Sequence, residues 1–145
     1  MSCGRAQDMG MPDLSRFLDA QNATYDAALA ELRASAKHSH WMWWIFPQIA
    51  GLGRSETARF YAIKSTDEAR AYLSHPLLGA RLMEASAAVL AAKGSAEAIM
   101  GDIDAIKLRS SMTLFAAVAN DPAPFRAVLD RFFNGEPDRA TLALI

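Results

Sequence analysis

Between Lys37 and Gly53 the chain reads KHSHWMWWIFPQIAGLG. Two imidazoles, His38 and His40, stand beside three indoles, Trp41, Trp43 and Trp44. An imidazole titrates near neutrality and can pass a proton. An indole offers a flat apolar face on which a planar ring can stack. If Ser39 to Ile45 forms a helical turn, His40 and Trp44 share one face, and Trp41 and Ile45 another. Pro47 disfavours the helical conformation at Phe46, so the chain must turn extended there. Gln48 then emerges beside the aromatics with an amide that both donates and accepts. Gly51-Leu52-Gly53 adds pliable backbone with free N–H groups. The same tryptophans also suit a core, because aromatics dominate core burial. His40 suits either a hydrogen-bonded structural role or acid–base work, and His38, next to Lys37, suits the surface.

A second group of chemistry-bearing residues lies between Asp102 and Ala119. Wound at about 100° per residue, this stretch puts Ile103, Ile106, Leu114, Ala117 and Val118 on one side, flanked by Leu108, Met112 and Phe115. Its polar sector holds Asp102, Arg109 and Thr113. Asp104, Lys107 and Ser111 then fall inside the apolar arc, with Ser110 at its edge. A helix that is apolar nearly all round is buried, and an unpaired charge on its buried side costs several kcal/mol. Two accounts stand open. Asp104 and Lys107 are three apart and can pair. Alternatively the stripe lines a pocket, in which Lys107 meets an anion and Ser110 and Ser111 supply hydroxyls.

The elements that must position these groups are helical. Pro12-Asp13 opens a helix with Leu14, Phe17, Leu18 and Gln21 on one face, and Thr24 is placed to cap a second helix carrying Tyr25, Leu29 and Leu32. Ser55 caps a short helix, and Ser65 with Glu68 forms a capping box. His75-Pro76 marks a junction before a long helix ending near Gly94. Asn134-Gly135 is a C-cap pair. Nothing alternates as a strand between turn residues. The reading is all-α: a compact domain of seven or eight short helices over residues 12–145, preceded by a flexible arm at residues 1–11.

Composition narrows the function. Half the chain, 52%, is hydrophobic and 21% is charged, enough apolar material for one core in 145 residues. A net charge of -1 argues against a nucleic-acid partner. Cys3 alone forms no internal disulfide and no cysteine metal site, and three scattered histidines give no ligand spacing, so neither metal nor cofactor is expected. No apolar run is long enough for a leader or a membrane span, which points to the cytosol.

SHWMWWIFPQIAGLGRS (39–55), EARAYLSHPLLGARL (68–82) and DIDAIKLRSSMTLFAAV (102–118) together resemble a bacterial family catalogued as domain of unknown function 1810. A structurally known mycobacterial member is all-helical. The resemblance covers nearly the whole chain from Leu14 and implies a single all-α domain, but it implies no activity. The family pattern usually has phenylalanine after Trp-Met-Trp, so Trp44 is a departure expected to alter packing more than chemistry. The expected function is a pocket for an anionic, nucleotide-like small molecule. His40 and Asp104 would act as acid–base groups for a hydrolytic reaction. Trp41, Trp43, Gln48, Lys107, Ser110 and Ser111 would bind the ligand. The alternative is a protein-interaction module that displays the aromatic patch.

Overall fold

The computed structural model describes residues 12–145. The expected arm and Cys3 lie outside the described residues. Among the described residues nine helices follow one another: α1 (Ser15–Arg33), α2 (Met42–Ile45), α3 (Glu56–Tyr61), α4 (Thr66–Ser74), α5 (Pro76–Ala91), α6 (Ala96–Met100), α7 (Asp102–Val118), α8 (Ala123–Phe133) and α9 (Arg139–Leu144). The architecture is all-α, and among the described residues the only strand-like pairing is an isolated parallel bridge between Ile49 and Ile63. It is closed by Ala50 N to Ile63 O (2.7 Å) and Ile63 N to Gln48 O (2.8 Å).

α7 packs against α4, α6, α8 and α9, while α5 packs against α1, α4 and α8. One continuous apolar cluster fills the space between them. A run of rings crosses it: Phe17 meets Tyr72 edge-on at 5.1 Å, Tyr72 meets Phe115 at 5.4 Å, and Phe115 meets Phe125 at 6.0 Å. Aromatic pairs at such separations add to plain area burial. Gln21, read from the sequence as part of an apolar face, is buried among them. Its Nε2 donates to Trp44 O (2.7 Å) and to the Tyr72 hydroxyl (2.9 Å), so the amide is satisfied inside the core.

The capping chemistry follows the sequence. Ser55 accepts from Ala58 N and Ser65 from Glu68 N. Asn134 takes the left-handed conformation that ends α8. Three features differ from expectation. The stretch expected as two helices is a single α1, because Thr24 does not cap: its hydroxyl turns back to Ala20 O (2.6 Å). The Glu68 carboxylate does not return to Ser65, because Arg16 and the Lys64 amide hold it.

The third difference is the orientation of α7. Ile103 and Ile106, expected in the core, are 72% and 64% exposed. The inward surface is instead Ala105, Leu108 and every residue from Ser110 to Phe115. Thr113, expected in the polar sector, is buried. The middle of α7, Ser110 to Phe115, is enclosed on all sides, its N-terminal half faces inward through Ala105 and Leu108, and its last turn reopens to the surface at Ala117.

Candidate functional site

The segment after α1 is fastened by a residue that no motif marked. Glu31, in the last turn of α1, reaches across to the loop at residues 38–41. Its Oε1 accepts from His38 N (2.8 Å), Ser39 N (2.9 Å) and the Trp41 indole (2.9 Å), and its Oε2 accepts from the Ser39 hydroxyl (2.6 Å). Burial works against this charge. The Ser39 hydroxyl and amide, the His38 amide and the Trp41 indole outweigh it and draw the carboxyl from its ordinary 4.5 down to about 2. Trp41 is therefore a buried anchor rather than an open stacking surface. His38 and His40 stand exposed on the loop that it secures.

A carboxyl whose acidity is raised by folding lends stability at every pH above its unfolded value near 4.5, and loses it as pH falls toward 2. Glu31→Gln should remove about 2 kcal/mol at pH 7, after allowing for partial solvent screening. The gap between parent and variant should narrow below pH 4.5, fall to less than half its pH 7 size by pH 3 and close only as pH drops through about 2. Urea unfolding of both proteins at pH 7, 4.5 and 3 measures the gap.

The second constellation arrives at the same place. Lys37 Nζ contacts Asp104 Oδ2 at 2.8 Å and donates to Ser39 O at 2.6 Å. It also lies 4.8 Å from the centre of the Trp41 ring. Lys107 Nζ sits 3.6 Å from the other Asp104 oxygen and 4.5 Å from the centre of the Trp43 ring. Asp104 thus stands between two ammonium groups, each laid over an indole, a contact that strengthens as water is excluded. Lys37 has its donors engaged and its side chain is 7% exposed, whereas Lys107 is 21% exposed and more loosely held. Trp43 is half-buried and tilts against Trp44 at 6.2 Å. The Trp44 indole donates to Thr24 Oγ1 (2.8 Å), which ties α2 to α1.

The remaining expected ligand-binders lie elsewhere. Gln48 lines a narrow hollow with Trp43, Gly53 and Tyr61, of about 10 Å³. A cavity of about that size holds at most one water. The Ser110 hydroxyl lies 3.1 Å from both Ile106 O and Asp138 Oδ2. Asp138 caps α9 through Thr141 N, so Ser110 belongs to the fastening of α9 on α7. Ser111 is fully buried with no hydrogen-bond partner. The structure thus brings together Trp41, Trp43, Asp104 and Lys107, with His40 on the adjoining loop and Gln48 joined only through the small hollow it shares with Trp43, while Ser110 and Ser111 are engaged or enclosed elsewhere on α7. Lys37 and Glu31 are the members of the site that spacing did not reveal. Among the described residues no group of three or more His, Cys, Asp or Glu side chains is placed to hold a metal ion, and no helix is long and apolar enough to cross a membrane.

Two larger hollows adjoin the α4–α5 corner at His75-Pro76, the first of them reaching the C-terminal end of α7. One, of about 650 Å³, is bounded by Arg70, Ser74, His75, Met83, Asn120 and Asp121; the other, of about 660 Å³, lies toward Asp13, Leu14 and Leu18.

A family model described as "Protein of unknown function (DUF1810)" matches residues 11–145. Among solved structures, the chain is similar to the conserved hypothetical protein Rv1873 from Mycobacterium tuberculosis. The two are 48% identical, with 92% of this chain and 96% of that one covered and a TM-score of 0.90. No curated protein matches the chain.

Proposed function

We propose, for a chain that belongs to the DUF1810 family of proteins of unknown function, that the face where the 37–48 segment meets α7 binds a small anionic molecule carrying a flat ring. The observation that supports this most is the unequal sharing of Asp104. Lys37 holds one oxygen at 2.8 Å, and Lys107 stands 3.6 Å from the other, part-exposed over Trp43. Lys107 therefore has donor capacity left for a phosphate or carboxylate. Trp43 supplies an apolar edge, and His40 an exposed imidazole on the adjoining loop. A nucleotide combines the two features this face would recognise, an anion and a planar ring. Asp104 is engaged on both oxygens, so its role in this reading is to orient Lys107, and the activity proposed is binding.

The test compares AMP, ribose 5-phosphate and adenosine by tryptophan emission and thermal shift. AMP should bind most tightly, since it alone joins both features. Lys107→Ala should weaken it at least tenfold while leaving the fold intact, because Lys37 still pairs Asp104. Millimolar AMP that moves neither emission nor melting temperature would sink the reading, as would unchanged affinity in Lys107→Ala.

A second reading, a docking face for another protein, is supported by Ile103 and Ile106. They lie three apart on the outer face of α7 and are mostly exposed. Under that reading Ile103→Lys/Ile106→Lys abolishes the association and AMP has no effect on it.

A further inference from the structure

We propose that the 650 Å³ hollow beside His75 is a second ligand site, shaped for a small dipolar ion with an apolar side chain, of which a free hydrophobic amino acid is the simplest example. It is independent of the lysine–indole face. Asp104 and Val118 lie near opposite ends of α7, about 20 Å apart at 1.5 Å per residue.

The two rims of the hollow carry opposite polarity. On one rim, His75 Nδ1 accepts from Leu77 N (3.1 Å) and Leu78 N (3.2 Å). The cap consumes the ring's acceptor, so in the neutral imidazole the proton sits on Nε2 and the ring can only donate to a ligand. Arg70 lines the same rim. Among the described residues it pairs with Asp67 at 3.0 Å, itself 90% exposed, a surface pair that constrains it little. Ser74 adds a hydroxyl, and the sixteen-residue α5 begins there with its positive end.

The other rim is electronegative. α7 ends at Val118, and the last carbonyls of a helix lack intrahelical partners. Asp121 lies just beyond. One of its oxygens caps α8 by accepting from Ala123 N (3.1 Å), and the carboxylate keeps acceptor capacity to spare. Ala80, Met83 and Phe125 line the apolar part of the hollow. A carboxylate suits the His75–Arg70 rim, an ammonium suits the Asp121 rim, and an aliphatic side chain suits the surface between them. A simple anion meets the right donors but also faces Asp121, so a ligand bearing both charges is favoured.

The test titrates leucine, 4-methylpentanoate and isoamylamine, which carry both charges, only the carboxylate and only the ammonium. The readout is the Met83 methyl resonance, identified through Met83→Leu. Leucine should shift it with at least tenfold higher affinity than either half-molecule. Two variants keep their caps, since Asp and Asn are both favourable at helix N-termini. His75→Asp should abolish the response to leucine and to 4-methylpentanoate. Asp121→Asn should weaken leucine and isoamylamine but spare 4-methylpentanoate. The proposal is overturned if none of the three moves the resonance at 10 mM. It is equally overturned if His75→Asp, shown to be folded by its thermal melt, binds leucine as the parent does.

Discussion

Gly79→Ala should be among the most damaging single-methyl additions this fold can receive. In most helices that exchange is favourable by roughly 0.5–1 kcal/mol, because glycine leaves more backbone freedom to be lost on folding. Here the added Cβ would stand 2.1 Å from Leu73 O and 3.0 Å from Leu73 C. Those are backbone atoms of the preceding helix, and no rotamer change relieves the clash. α4 and α5 would have to move apart by more than an ångström. The corner between them is fixed by His75, whose side chain caps α5 and whose backbone N–H still bonds to Ala71 O and Tyr72 O. Leu78 and Leu82, on the turns of α5 beside Gly79, are buried and would lose their contacts. Overpacking of this kind typically costs 1–3 kcal/mol and more where nothing can yield, so a loss of about 3 kcal/mol is expected. The urea midpoint should fall steeply with the slope unchanged. A midpoint equal to that of the parent would mean that the corner is loose, and the shape of the hollow beside it would lose its support.

How far such constraints can be read from sequence depends on their range along the chain. Ser55, Ser65, His75 and Asn134 all end or begin helices as their residue types suggest, because a cap is a contact across two to four positions. Gln21 declared its burial by sharing a face with Leu14 and Phe17. The outward turn of Ile103 and Ile106 could not be foreseen. α7 is only weakly amphipathic, since every residue from Ser110 to Phe115 is buried, so a helical wheel has little to orient it. What decides its facing is the placement of α8 and α9, which no local spacing encodes. The same limit explains the candidate site. Asp104 and Lys107 were legible as a pair because they sit three apart. Lys37, which completes the cluster from another segment, was not, and neither was Glu31, whose four hydrogen bonds span seven to ten residues of non-repeating loop. Ser110 and Ser111 share a helix with Lys107, which made them plausible neighbours of a ligand. One turn further along, however, α7 has already passed beneath α9.

Arg16 and Glu68 are the extreme of that blindness, fifty-two residues apart and joined at 2.6 Å, with side chains 11% and 6% exposed. Glu68→Ala should be far more costly than a surface charge deletion. The guanidinium would remain bonded to Ala62 O and stacked at 4.3 Å over Phe17, buried without its counter-charge. Its Nε already lacks a partner, so the group has no spare satisfaction to fall back on. Breaking a buried pair from one side typically costs 3–5 kcal/mol, whereas replacing both members with apolar residues is often close to neutral. Glu68→Ala alone should therefore lose about 3 kcal/mol, and Arg16→Met/Glu68→Leu should recover most of it. The consequence reaches the candidate site through the backbone. Arg16 holds the Ala62 carbonyl and Glu68 holds the Lys64 amide, and Ile63 between them makes the bridge to Gln48 and Ala50. The same residues determine how the chain returns beneath Trp43. In Glu68→Ala the Trp43 emission should thus become more accessible to iodide before global unfolding, while the double variant should match the parent. A single variant that loses less than 1 kcal/mol would show that water already screens the pair and that the segment at Ile63 is held by its bridge alone.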